Sequence, residues 1–134
     1  MNFKKQLISG TLIKRYKRFL VDVKIKDKVI TCHCPNTGSM MGLLKTGNKV
    51  WLSLSDDPKR KLQYTLQLIQ VNNALIGINT HLTNKIFFEA LKKKKIHNFG
   101  KPDIIKPEYK FNKGTRFDFY LENNEKKILI EIKN

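Results

Sequence analysis

The sequence predicts an α+β protein, in which a small β-barrel over residues 1–80 precedes a domain of helix and strand over residues 83–134. Short runs of alternating apolar and polar residues fill the first part, and turn residues separate them every 8 to 12 positions. Apolar residues then recur at helical spacing from Thr83 onward. Two further alternating runs close the chain, and they predict a hairpin.

The barrel prediction rests on strand segments in which apolar side chains alternate with polar ones. In the second segment, Val21, Val23 and Ile25 are the apolar set. Turn-type residues separate the segments, and the stretch 34–42, which contains Pro and Gly, reads as a loop. We expect Phe19 to belong to the core. Five or six short strands are typical of a small barrel, and the predicted segments are 7–12, 21–25, 29–34, 50–54, 64–71 and 74–78.

The strongest compositional feature is the excess of basic residues. Lys and Arg number 27 against 11 Asp and Glu, which gives a net charge of +16. A lysine-rich surface of biased composition is one explanation, since Lys, Asn and Ile are all abundant. A polyanionic partner is the other, and we expect nucleic acid before an anionic membrane. The sequence has no run of 18 apolar residues and no apolar signal segment, so we expect a cytoplasmic protein without membrane contact.

Three basic segments are the predicted nucleic-acid contacts. The first surrounds Tyr16 and lies between the first two predicted strands. Cations pair with phosphates and rings stack on bases, so this segment, with Trp51 and Tyr64, suits an oligonucleotide-binding barrel. A solvated strand edge is the alternative. The predicted contacts are Lys14, Arg15, Tyr16, Lys17, Arg18, Lys59, Arg60, Lys61, Lys92, Lys93, Lys94 and Lys95.

The cysteines predict free thiols. Cys32 and Cys34 stand two positions apart, which is poor geometry for a disulfide and fits a reducing compartment. Together with His33 they are too few for a tetrahedral zinc site, and no second cysteine pair follows. We therefore predict no zinc at this triplet.

A helix is predicted over residues 83–95, with Thr83 or Asn84 as its N-cap. Glu89 lies within it, and a solvated position paired with Lys85 or Lys93 is its simplest interpretation. The four lysines at its end suit the helix dipole and also form a patch that can face phosphates. A short strand is expected before Gly114.

The final hairpin, residues 116–133, carries the candidate catalytic residues. Glu131 and Lys133 are two apart on a strand, so both side chains leave the same face. If Asp118 shares that face, two carboxylates and an ammonium converge. A metal-dependent phosphodiesterase uses such a set: the carboxylates hold Mg²⁺ or Mn²⁺, and the lysine lies by the attacking water or the phosphate. A solvated strand face is the alternative.

Five stretches, in order, resemble the bacterial and archaeal sugar fermentation stimulation protein A family: GTLIKRYKRFLVDV, HCPNTGSM, VWLSLSDDPKRKLQYT, GINTHLTN and TRFDFYLE…ILIEIKN. The resemblance implies a barrel of the oligonucleotide-binding type, followed by a partial α/β domain related to the PD-(D/E)xK nucleases. It also implies DNA binding and a regulatory link to maltose metabolism.

The same resemblance assigns the nuclease-type motif to residues of the final hairpin and the preceding helix. Asp118 and Glu131 match its metal-binding acids and Lys133 matches its lysine. Glu89 looks similar to the acid that many such nucleases carry on their first helix.

The barrel loop of the family matches residues 34–38, and two features depart from the family pattern. Cys32 stands where a small apolar residue is more usual, which concerns packing. Family members continue beyond the position of Asn134, so we expect either a fragment or a partner chain that completes the second domain.

Charge and resemblance together predict a largely sequence-nonspecific DNA-binding protein with a nuclease-like metal site. A Mg²⁺-dependent DNA endonuclease is the first alternative. The second is an RNA-binding or protein-interaction module in which Glu131 and Lys133 of the last strand have no catalytic role.

Overall fold

The computed structural model describes every residue from Met1 to Asn134, and they form two compact units. The first is Met1–Thr80 and the second is His81–Asn134. The α-helix of the second unit has 10 residues, and no helix is long and apolar enough to cross a membrane.

The first unit is a closed barrel, as predicted. Its strands are β1 (Ile8–Tyr16), β2 (Leu20–Ile25), β3 (Lys28–His33), β4 (Lys49–Leu54), β5 (Tyr64–Val71) and β6 (Ala74–Gly77). Antiparallel neighbours follow the order β3-β2-β1-β4-β5-β6. A parallel pairing of His33 with Thr65 joins β3 to β5 and closes a ring of five strands, which β6 extends.

Alternation along the strands fills the barrel with apolar side chains. In β2, Val21 and Val23 are fully buried, whereas Lys24 is exposed. Each such buried side chain contributes about 1.5–3 kcal/mol relative to exposure. The fully buried barrel residues are Leu12, Val21, Val23, Cys32, Val50, Leu52, Leu66, Ile69 and Ile78.

Phe19 lies outside the core, so the prediction for this residue was wrong. Its side chain is 51% exposed. β1 extends to Tyr16, well beyond its predicted end, and β2 begins at Leu20, which leaves Phe19 in the short turn between them. Lys17 and Arg18 in this turn have φ of 49° and 62°, a conformation that breaks strand alternation and so removes the basis for the prediction.

The second unit packs one helix, α1 (Thr83–Lys92), against an antiparallel sheet. The sheet has the order β7 (Ile104–Asn112), β8 (Thr115–Glu122), β9 (Lys127–Ile130). Phe119 of β8 lies at the centre of this core, with its ring centroid 5.0 Å from that of Phe87 and 5.9 Å from that of Phe88. The apolar face of the predicted hairpin is therefore the face that the helix covers.

Helix α1 ends at Lys92, three residues before the predicted end. Lys94 adopts a φ of 54°, and its amide donates to the carbonyl of Leu91 at 2.9 Å. The amide of Lys95 donates to the carbonyl of Ala90 at 2.9 Å. This pair of bonds is a Schellman motif, which closes the helix although no glycine is present.

Strand β7 forms one edge of the sheet and is longer than the short strand predicted. It contains Pro107, which has no amide hydrogen, and Glu108, whose φ is 51°. Proline is tolerated in a sheet where its missing donor faces solvent, so an edge position suits it.

The buried thiols generate a prediction on alkaline stability. Burial raises the pKa of Cys32 from 9.0 to about 12, so above pH 9 the thiol ionises in the unfolded chain but stays protonated in the barrel. The unfolded state then binds fewer protons, and the free energy of unfolding should fall as the pH rises from 9 to 11. We expect a steeper fall, by urea denaturation, for the native protein than for Cys32→Ala. Parallel curves would contradict the prediction.

Candidate functional site

Asp118 accepts hydrogen bonds from two different segments of the second unit. Its Oδ1 accepts a hydrogen bond from the amide nitrogen Nδ2 of Asn84 at 2.7 Å. Its Oδ2 accepts one from the backbone amide of Ile132 at 2.7 Å. One carboxylate thus joins α1, β8 and the segment that follows β9.

Glu131 and Lys133 follow β9 and lie on the face predicted for them. The register pairs Phe119 with Ile130 and Tyr120 with Leu129, so alternation places Glu131 on the same face as Asp118. The ammonium of Lys133 lies 2.8 Å from Oε1 of Glu131, and this bond raises the pKa of Lys133. The hairpin therefore brings the predicted acids and lysine together, with the lysine already paired.

This face offers two carboxylates to a cation. A third ligand is missing, because the structure contains no group of three His, Cys, Asp or Glu side chains suited to a metal. Each Asp118 oxygen accepts one hydrogen bond and retains a second lone pair, and Lys133 contacts only Oε1 of Glu131. The donor set fits a hard divalent cation that keeps several water ligands.

Glu89 lies on a different side of α1 from the residue that contacts Asp118. The helix residue that contacts Asp118 is Asn84, five positions earlier, and five residues correspond to a rotation of about 140°. Glu89 instead forms an ion pair with Lys93 at 2.5 Å, as the simplest interpretation of the sequence predicted. The pKa of Glu89 is lowered to about 2, and the hydrogen bond from Lys93 is the largest cause.

Asn84 was predicted as a possible N-cap of the helix, and this prediction was wrong. Neither Thr83 nor Asn84 is the N-cap, because Leu82 occupies that position and makes no side-chain cap. Asn84 lies within the first turn, three and four residues before Phe87 and Phe88, and shares their sheet-facing side. That spacing was the available signal that Asn84 faces the sheet.

The first two basic segments meet at one end of the barrel. Tyr16 at the end of β1 pairs with Leu20, and Leu20 pairs with His33 at the end of β3. Arg60, from the loop between β4 and β5, places Nη2 3.4 Å from Nδ1 of His33. The β1–β2 turn and the β4–β5 loop therefore flank the same row of residues.

An aromatic ring and unpaired cations occupy this end of the barrel. The hydroxyl of Tyr16 donates to Asp22 at 3.0 Å, and the ammonium of Lys14 lies 5.4 Å from the centroid of the Tyr16 ring. The following basic residues form no ion pair with a carboxylate: Lys14, Lys17, Arg18, Lys59 and Lys61.

Arg15 has a structural task. Its Nη2 and Nη1 donate to the carbonyls of Asn36 and Gly38 at 2.6 and 2.8 Å. Its Nε donates to the carbonyl of Arg18 at 2.6 Å. These bonds fix the loop 34–42 against the end of β1, so most of the guanidinium donors are occupied by the protein itself.

The third basic segment is divided among different environments. Lys93 pairs with Glu89, and the ammonium of Lys92 lies 4.4 Å from the ring centroid of Phe88. Lys92 and Lys94 line a cavity of about 420 Å³ in the second unit. The helix end breaks the run, so the lysines do not form one continuous helical face.

Comparison with known families covers nearly the whole chain. A protein-family model described as the SfsA N-terminal OB domain matches residues 13–78. A model described as the sugar fermentation stimulation protein RE domain matches residues 81–134.

Curated relatives agree with these matches. The sugar fermentation stimulation protein homolog of Pelagibacter ubique (strain HTCC1062) is 55% identical over 134 residues, and that of Thioalkalivibrio sulfidiphilus (strain HL-EbGR7) is 45% identical over 136 residues. Both alignments cover 100% of this chain, which spans only 58% and 57% of the two relatives.

A solved structure shares the fold. The structure of Pyrococcus furiosus SfsA in complex with Ca²⁺ matches with a TM-score of 0.80 at 23% sequence identity. The match covers 99% of this chain and 56% of that chain. The predicted barrel of the oligonucleotide-binding type is confirmed.

The bonds of Arg15 give a stability prediction. Arg15→Ala should lower the free energy of unfolding by about 2 kcal/mol, because charge-assisted hydrogen bonds to three carbonyls are lost. The exposed Lys61→Ala should change it by less than about 0.5 kcal/mol. Urea denaturation followed by tryptophan fluorescence measures both. Equal small losses would show that the loop does not depend on Arg15.

Proposed function

Because the chain belongs to the sugar fermentation stimulation protein family, we propose that it is a cytoplasmic DNA-binding protein with little sequence preference. DNA contacts the N-terminal barrel, and the second unit holds a divalent cation at a nuclease-like site. The cellular role is regulatory, in sugar metabolism and more narrowly in the use of maltose.

The arrangement of the two basic segments at one barrel end is the observation that carries this proposal. In barrels of the oligonucleotide-binding type, the loops between strands 1 and 2 and between strands 4 and 5 contact the nucleic acid. Here these are the β1–β2 turn and the β4–β5 loop, which meet at His33. Tyr16 supplies an aromatic ring beside the cations, which is the pairing that single-stranded nucleic acid requires.

The charge of the chain supports a nucleic-acid partner that is bound through its phosphates. The chain has a net charge of +16, and five lysine and arginine residues at the barrel end form no ion pair with a carboxylate. Lysine binds phosphate as a point charge and carries no base information, so binding of this kind is weakly selective for sequence.

Salt dependence tests this mode of binding. If about six phosphates are neutralised, the plot of log K against log salt concentration has a slope of roughly −5. Fluorescence anisotropy of labelled oligonucleotides of several sequences, at several salt concentrations, measures the slope and the selectivity. No binding at low salt, or a slope near zero, would refute the DNA proposal.

The cation site rests on the geometry of the final hairpin. Asp118 and Glu131 share a face and retain lone pairs, and the related P. furiosus protein has been solved in complex with Ca²⁺. We assign Mg²⁺ or Mn²⁺ to Asp118 and Glu131 here. A bound cation would stabilise negative charge on a phosphate, and Lys133 would approach the same group once released from Glu131.

Metal binding can be tested without activity. Glu131→Gln and Asp118→Asn should each weaken Mn²⁺ binding at least about tenfold, because a neutral amide replaces a carboxylate ligand. Glu125→Gln, an exposed acid in the same unit, is the matched control and should bind like the native protein. Isothermal titration with Mn²⁺ measures all four proteins. Identical curves would show that Asp118 and Glu131 are solvated residues that bind no metal.

A Mg²⁺-dependent endonuclease is the second candidate, and the shared face of Asp118, Glu131 and Lys133 is the observation that favours it. Incubation of plasmid and branched DNA with the protein, with and without Mg²⁺ or Mn²⁺, separates it from binding alone. Cleavage that survives Glu131→Gln would exclude this site as its source.

A further inference from the structure

A second basic concavity lies on the outer wall of the barrel. Thr11 of β1 pairs on one side with Lys24 of β2 and on the other with Lys49 of β4. Directly paired residues leave the same face of a sheet, so the three side chains form one row across three strands. Lys26, Ser9 and Gly10 complete the lining of this concavity of about 460 Å³.

The lining is cationic and contains no acid. Its six residues supply three ammonium groups and two hydroxyls, and none of the three lysines forms an ion pair. Lys24 and Lys49 lie two strand spacings apart, roughly 9–10 Å between their backbones. Their mutual repulsion is relieved when an anion binds between them.

Backbone geometry fixes the floor of the concavity. A Cβ at Gly10 would lie 2.5 Å from Cγ1 of Val23 and 2.9 Å from the carbonyl oxygen of Lys24. Only glycine therefore allows β1 to approach β2 this closely. The close approach holds Thr11 and Lys24 in register on rigid strands rather than on a mobile loop.

The concavity continues the face that carries the basic barrel end. Along β2, the row of Lys24 lies four residues beyond that of Leu20, about 13 Å at 3.3 Å per residue. Lys14 stands between the two rows on β1. The acid on this path is Asp22, whose Oδ1 accepts hydrogen bonds from the hydroxyls of Tyr16 and Thr31 at 3.0 and 2.8 Å.

We propose that Lys24, Lys26 and Lys49, with the hydroxyl of Thr11, form a phosphate subsite that holds one phosphodiester of a bound DNA strand. The site extends the path of the strand from the basic loops along β1 and β2. This inference rests on the proposed DNA binding, and the site belongs to none of the three basic segments predicted from the sequence.

The chain carries its own reporter for this subsite. Trp51, the single tryptophan, stands two residues from Lys49 on β4, and the Lys49 ammonium lies 5.2 Å from its ring centroid. Ser9, which lines the concavity, pairs with Trp51. A phosphate that draws Lys49 away from the ring should change the tryptophan fluorescence.

The test compares two double variants with the same loss of charge. Lys24→Ala/Lys49→Ala removes two cations of the subsite, and Lys110→Ala/Lys113→Ala removes two exposed lysines of the second unit. Short oligothymidylate is titrated at several salt concentrations, followed by anisotropy and by Trp51 fluorescence. We expect the first variant to lose about tenfold in affinity and about one unit of salt slope. The control should lose less than about threefold. Lys24→Arg/Lys49→Arg, which keeps the charges, should bind like the native protein and guards against a folding defect.

The outcomes separate the subsite from the proposed function. If the native protein binds DNA and both alanine variants lose affinity equally, the subsite is wrong while DNA binding stands. If the native protein binds no DNA, the proposed function fails, and titration with pyrophosphate decides the subsite. Fluorescence that responds to pyrophosphate in the native protein but not in Lys24→Ala/Lys49→Ala would keep a phosphate site for a small ligand. No response would overturn it.

Discussion

The barrel depends on its closure between β3 and β5, which rests on the pairing of His33 with Thr65. Closure gives β3 a partner on both sides and leaves β6 as the edge strand of this sheet. The same closure brings the β4–β5 loop, with Arg60, against the end of β3. The stability of the barrel and the juxtaposition of its basic loops thus have one origin, and a change that opens the ring removes both.

In the second unit one carboxylate is both a structural contact and a proposed cation ligand. Asp118 satisfies a helix side chain and a backbone amide that would otherwise be left without partners, and it faces the same side as Glu131. Because its hydrogen bonds come from neutral donors, they hold the carboxylate in place without cancelling its charge. A cation that binds there meets a ligand already oriented, so less conformational entropy is lost on binding.

The alternation of apolar and polar residues predicted those elements of the fold that depend on local sequence. The strands of the barrel and the apolar face of the final hairpin were found this way, because a period of two survives wherever one face is buried. Phe19 was misplaced because two residues with positive φ interrupt the alternation before it. The helix end was misplaced because Lys94, and not a glycine, takes the left-handed position, so no local signal marks the end.

Contacts between residues distant in sequence were not predicted. Arg15 was predicted as a nucleic-acid contact, and its bonds to the carbonyls of Asn36 and Gly38, more than twenty residues away, were not foreseen. Asn84 looked like a helix cap, and its partner Asp118 lies 34 residues away. No local pattern encodes such pairs. The cationic row on the barrel wall was missed for the same reason, since Lys24 and Lys49 become neighbours only through Thr11.

The proline in β7 has a consequence for assembly. Pro107 cannot donate a hydrogen bond, and the positive φ of Glu108 twists the backbone beside it, so this edge is a poor template for a further strand. Strand β9, at the other edge, contains no proline and pairs only with β8. The β9 edge is therefore the edge at which a further strand would pair, whether it comes from a longer chain or from a second protein. That strand would lie next to the carboxylates of the candidate site.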